Sequence, residues 1–208
     1  MRHFIQTLFF LLTPLLSFAQ PVAEPFLLPI EDTFSVSGRG VVATGVVTRG
    51  TLKRGDTVEL VGFSAQIRKA TVVQIQILGA APETVGKGQN VGLVLRGVTL
   101  EEVKRGMVIA QPGSIKSYQA FKAQVEIFPK EKGGKVVDSF FRPMIYLRTT
   151  DASGEFVWTD NVKLLKPGQK AVIALKLTSP VALEKGQTFA IRDFGKTIGT
   201  GTIVDFVP

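Results

Sequence analysis

Cysteine is absent from the 208-residue chain, and histidine occurs once, at His3. The lack of cysteine excludes a disulfide, a thiol nucleophile and a thiolate zinc site. Long helical patterns are lacking as well. The best helix-period stretch after the first residues is Thr99–Arg105 (TLEEVKR), where Thr99 and Glu102 stand at capping-box spacing. No G-x-x-x-x-G-K-[ST] phosphate loop occurs. Gly38-Arg39-Gly40 lacks the third glycine and the strand-to-helix setting of a dinucleotide loop. Asp193-Phe194-Gly195 has no other kinase element around it and reads as a strand-end turn. Glu31-Asp32 is an adjacent carboxylate pair, and neighbours on an extended segment point to opposite faces, which suits paired acid–base work poorly. No catalytic residue, metal ligand or cofactor is expected.

Long apolar runs are also scarce. The one at Phe4–Leu16 is broken by Gln6, Thr7, Thr13 and Pro14, too short and too interrupted for a good transmembrane helix. Met1, Arg2 and His3 form a positive stretch before it, and Ser17-Phe18-Ala19 after it has small residues at its first and third positions. Residues 1–19 are therefore expected to be an export signal cleaved near Ala19, giving a periplasmic or secreted chain without a membrane span. An uncleaved N-terminal anchor is the alternative. Cleavage would remove His3, and with it any histidine-based triad or zinc site.

What remains is rich in β formers and turn residues. The whole 208-residue chain holds 15 phenylalanines, 21 glycines and 11 prolines, with 45% hydrophobic and 20% charged residues, a composition suited to an all-β globular protein. Strands are expected at Thr33–Ser37, Val41–Thr48, Thr57–Val61, Ile67–Leu78, Gln89–Leu95 and Met107–Ala110. A second series covers Tyr118–Phe128, Arg142–Thr149, Glu155–Thr159, Lys170–Thr178, Thr188–Asp193 and Thr197–Phe206. A glycine stands just before a strand at Gly55, Gly88, Gly106, Gly168 and Gly186, usually after a basic residue. These features predict two tandem six-stranded antiparallel β-barrels, over residues 20–113 and 117–208. The net charge of +8 permits anionic polymers, nucleic acid or acidic lipid as partners and selects none of them.

Several stretches carry a resemblance to a known family: PFLLPIEDTFSVSGRGVVATGVVTRGTLKRGDTVELVG (Pro25–Gly62), GQNVGLVLRGV (Gly88–Val98), KRGMVIAQPGSIK (Lys104–Lys116), FFRPMIYLRTTDASG (Phe140–Gly154), KPGQKAVIALKLTSPVALEKGQTFAIRD (Lys166–Asp193) and GKTIGTG (Gly195–Gly201). In order and spacing they resemble the second and third domains of bacterial elongation factor Tu. The resemblance implies two β-barrels, in agreement with the strand pattern. In that family a GTP-binding domain precedes them. Here signal-like sequence stands in its place, so neither GTP binding nor GTP hydrolysis is expected.

The resemblance also implies a site. Glu31, Asp32, Phe34 and Arg39 match the family at the edge that holds the terminal adenosine of aminoacyl-tRNA, and Asn90 matches a residue beside the amino-acid pocket. Val36, Val42 and Val94 fit its apolar floor, whereas Gln76 and Gly79 stand where the family has a glutamate and an arginine. Arg105 matches a residue near the tRNA 5′ end, with Lys135 in place of an arginine and Ser153 in place of a threonine as backbone contacts. Met144, Ser179 and Phe194 replace a glutamine, a lysine and a glycine, so the tRNA face is partly eroded. A purely structural role stands beside this one, with Phe34 as core and Arg39 paired to Asp32 or Glu31.

Two functions follow as expectations. The leading one is an exported, non-enzymatic binding module derived from the elongation factor, meeting an unknown protein or an anionic envelope polymer. The alternative is a cytoplasmic, translation-related binder of aminoacyl-tRNA or ribosome.

Overall fold

The computed structural model describes residues 24–158 and 163–207. The signal expected over residues 1–19 lies outside the described residues, as does Thr159 at the end of one expected strand.

The first unit contains β1 (Leu27–Pro29), β2 (Asp32–Val36), β3 (Gly40–Val46), β4 (Thr51–Lys53), β5 (Thr57–Gly62), β6 (Ser64–Gln76), β7 (Thr84–Gly86), β8 (Asn90–Arg96) and β9 (Val108–Ala110). Seven of them form one antiparallel sheet in the order β1-β9-β5-β6-β8-β3-β2, and β4 and β7 form a separate two-stranded ribbon. The sheet has more strands than the six expected, and the reason is local. Its two outer strands, β1 and β2, are one stretch of chain interrupted at Ile30-Glu31. There the Ile30 N–H donates to the Met107 carbonyl, on the β9 side, at 2.9 Å. The Glu31 N–H donates to the Thr44 carbonyl, on β3, at 2.8 Å. That stretch joins both edges of the sheet and wraps it around a core. Val41, Ala43, Val91, Leu93, Leu95 and Ile75 point into that core, while the residues between them face outward.

The helical expectation at Thr99 shrinks to a 3₁₀ turn, Leu100–Glu102. Its cap is present, with the Thr99 N–H donating to Glu102 Oε2 at 3.0 Å. Val103 ends the turn by extending into the core, where it is buried.

The second unit contains β10 (Lys116–Ile127), β11 (Met144–Leu147), β12 (Thr150–Val157), β13 (Lys170–Leu183), β14 (Thr188–Asp193) and β15 (Lys196–Phe206). These close into a barrel in the order β10-β13-β12-β11-β14-β15. Alternation drives it: Phe121, Ala123, Val125 and Ile127 of β10 fill the interior, while Lys122, Gln124 and Glu126 lie between them. The protein is all-β.

The two units pack together. Leu27, Val61, Val108 and Ala110 of the first, Ile115 of the connection and Ala182 of the second form a separate buried cluster. Beside it the Glu184 carboxylate accepts from both Arg49 and Arg148. Burial lowers the pKa of the Arg148 guanidinium from its ordinary value, and Glu184 opposes that shift. Arg148 also donates to the Ala182 carbonyl at 2.9 Å, and Ser117 Oγ donates to the Ser64 carbonyl at 2.9 Å.

Candidate binding face

Most of the residues singled out in the first unit gather on the outer face of β2, β3, β8 and β6. Strand register sets this. Phe34 pairs with Val42, Val42 with Val94, and Val94 with Gln74. One step along, Asp32 pairs with Thr44, Thr44 with Gly92, and Gly92 with Gln76. Asn90 continues the face opposite Val46. A register shift between Val72 and Gln74 absorbs one extra residue in β6, leaving Gln74 and Gln76 in line with these rows.

Val42 and Val94 are each 1% exposed although they point away from the core, so they make a covered apolar floor. Phe34, 44% exposed, stands on its edge and is not core. Gly92 leaves a gap in the floor, since a Cβ there would sit 3.5 Å from Val42 Cγ1 and 3.6 Å from Gln76 Oε1. Asp32 uses one carboxylate oxygen locally, accepting from the Thr33 N–H at 2.8 Å.

Arg39 occupies the β2–β3 turn. Its N–H donates to the Val36 carbonyl at 3.0 Å, and Gly38 and Gly40 take positive φ on either side. Its guanidinium forms no ion pair with Asp32 or Glu31 among the described residues. Arg105 comes to the same rim, with Nη1 3.5 Å from the Glu31 carbonyl it donates to.

The residues singled out in the second unit lie apart from this face. Lys135 is engaged within the barrel, 2.6 Å from Asp193 Oδ2 and 4.6 Å from the Phe141 ring centroid. Ser153 Oγ lies 3.1 Å from Met144 Sδ. Ser153 borders a cavity of about 410 Å³ that Gln119, Arg142 and Lys176 also line.

Two family profiles match this chain. "Elongation factor Tu domain 2" matches residues 40–110, and "Elongation factor Tu C-terminal domain" matches residues 114–207. The chain belongs to the elongation factor Tu family. The matches fall on an elongation factor Tu-like β-barrel module, and they meet between β9 and β10, where one sheet gives way to the next. Within that family assignment, the outer face of β2-β3-β8-β6 holds most of the positions that the resemblance named at the terminal adenosine. Thr44, Gln74 and Gly92 join them through cross-strand register. Gly92 had a signal in the sequence, an isolated glycine inside a strand pattern, which marks close approach or a missing side chain.

Proposed function

We propose that the chain is an exported, non-enzymatic binding module built from the barrel domains of elongation factor Tu, and that it takes its ligand on the outer face of β2-β3-β8-β6. One observation carries the binding site: a covered valine floor faces away from the core beneath the exposed Phe34 ring, with Gly92 leaving a gap and Asn90 and Arg39 at the margin. The valines are already covered and stabilise the fold, so what the face offers a ligand with an apolar or ring-shaped part is the exposed Phe34 ring and the space left at Gly92. Export rests on the charged, apolar and small-residue order of residues 1–19.

Asn90→Ala and Arg39→Ala should each lower retention of the captured partner from an envelope extract while leaving the fold intact. Retention unchanged in both variants sinks the site. N-terminal sequencing of the chain from an exported fraction should begin at Gln20, and a chain beginning at Met1 in the cytoplasm sinks the export reading.

A second reading is favoured by Arg105 lying against Glu31, which brings a residue matched to the tRNA 5′ end to the rim matched to the 3′ end. On that reading the face binds aminoacyl-tRNA, with affinity falling as salt rises. Equal binding of charged and uncharged tRNA counts against it, because the amino-acid pocket would then contribute nothing.

A further inference from the structure

The second barrel has two unlike ends. One carries Lys116, the Arg148 turn and Glu184 and packs on the first unit. The other carries the β10–β11 connection, the chain entering β13 and the β14–β15 turn. Backbone bonds lace these three together. Val137 and Leu165 exchange N–H···O bonds of 2.9 and 2.8 Å. The Gly168 N–H reaches the Ile127 carbonyl at 3.0 Å, and the Phe128 N–H reaches the Ile198 carbonyl at 2.8 Å.

This distal end presents Lys130, Lys132, Lys163, Lys166 and Lys196, all exposed and none in an ion pair among the described residues. The acids among them are Glu131 and Asp138, with Asp160 outside the described residues; Asp193 and Glu126 also lie at this end, paired with Lys135 at 2.6 Å and Lys170 at 2.9 Å. Between the lysines stand apolar side chains with nothing over them. Phe194 is 100% exposed, Phe140 is 87% exposed, and Val136 and Leu164 are also exposed. Phe194 occupies the tip of the β14–β15 turn at φ 41°, a conformation that disfavours a large side chain. The fold thus holds an aromatic ring in a strained position where it contacts no core. Leu78, equally exposed at another turn with φ 42°, has no lysine between Gln76 and Gly86.

We propose that this distal end docks on an anionic lipid bilayer, with Phe194 and Phe140 entering the interface and the lysines meeting headgroup phosphates. Exposed aromatic and aliphatic tips interleaved with lysine match the two parts of such a surface. A nucleic-acid duplex, its bases already stacked, or a soluble polyanion would satisfy the lysines and leave the rings in water. The inference depends neither on the compartment nor on the face of the first unit.

The test uses the full chain carrying Phe194→Trp, with the parent chain and its single Trp158 as reference. It is mixed with vesicles of equal parts phosphatidylglycerol and phosphatidylethanolamine, or of phosphatidylcholine alone. The new tryptophan should shift its emission to the blue and be quenched by brominated acyl chains in the anionic vesicles only. Because the readout is local, binding through residues 1–19 does not imitate it. Replacing the five lysines by glutamine should lower anionic-vesicle partitioning about fivefold per lysine. Urea midpoints equal to the parent's establish that each variant is folded. Emission unmoved by anionic vesicles overturns the proposal, as does a shift that survives lysine replacement. So does duplex RNA that binds the lysines and blocks the vesicles while the new tryptophan never leaves water. Asn90→Ala should leave these readings unchanged, which separates this end from the β2-β3-β8-β6 face.

Discussion

A methyl group added at Gly92 would meet Val42 Cγ1 at 3.5 Å and Gln76 Oε1 at 3.6 Å, ordinary van der Waals contact. Gly92→Ala should therefore fold normally, with a urea stability change within about 0.5 kcal/mol. It fills the gap in the valine floor, so binding on that face should weaken. Weakened binding with unchanged stability is the expected pair of readings, and undiminished binding removes Gly92 from the site. Gly106 is the opposite case. Its φ is 91°, and an added Cβ would lie 2.7 Å from Thr150 Cβ and 2.9 Å from Phe63 Cζ. Gly106→Ala should cost about 2–3 kcal/mol by urea denaturation, from backbone strain and overpacking together. Gly38→Ala, at φ 71° with nothing within 4 Å, should carry only the strain, about 1 kcal/mol. At this scale the sequence was informative where a residue carried its meaning locally. Asp32, Phe34, Arg39 and Asn90 were reached by resemblance to the elongation factor. Thr44 and Gln74 were not, because their place on the face depends on strands distant in sequence.

The strands were largely legible because period-two alternation is strong wherever one face is buried, as in KSYQAFKAQVEI of β10. All six expected strands of the second unit overlap observed ones. The strands β1, β4 and β7 escaped notice because each has three residues, too few for alternation to register, and β1 ends in Pro29; β9, equally short, was legible only through the continuous apolar run Met107–Ala110 after the turn at Gly106. Arg142–Thr149, expected as one strand, keeps regular pairing over Met144–Leu147 only, because Arg148 turns at φ 52°. Pairs between elements also set pH behaviour. Asp205 on β15 accepts from Lys185, in the turn before β14, at 2.8 Å. The Lys185 hydrogen bond holds the Asp205 carboxyl below its ordinary value of 3.8, with the Phe206 backbone helping. A depressed folded pKa contributes stability that is complete above the unfolded value. That contribution is lost as pH falls through the folded one. Asp205→Asn should therefore flatten the acid side of a stability–pH curve below about pH 4 and leave the shape near neutrality unchanged. An identical acid limb in both proteins removes this pair from the account.

For the whole molecule, the connection between the sheets was readable from Gln111-Pro112-Gly113, but the packing of one unit on the other was not. Its partners lie far apart in sequence, as with Arg49 and Glu184, 135 residues distant, and no periodic pattern announces such a pair. The contact combines a closed apolar cluster with partly buried charge. Such a surface couples the two units if its contribution exceeds what either loses by unfolding alone. The parent chain should therefore unfold in urea as one transition by fluorescence and circular dichroism alike. Ile115 is the residue to change, because it is buried in that cluster yet lies on the connection, outside both sheets. Ile115→Asp places a carboxylate among Leu27, Val61, Val108 and Ala110 at a cost of several kcal/mol, without opening either barrel. It should split the single transition in two, with Trp158 following the second barrel alone, while Ile115→Val should keep one transition. Two transitions already present in the parent would mean that the buried cluster and the Glu184 pairs leave the units independent. One transition surviving Ile115→Asp would place the coupling elsewhere, at the Gly106–Thr150 approach or the Ser117–Ser64 bond.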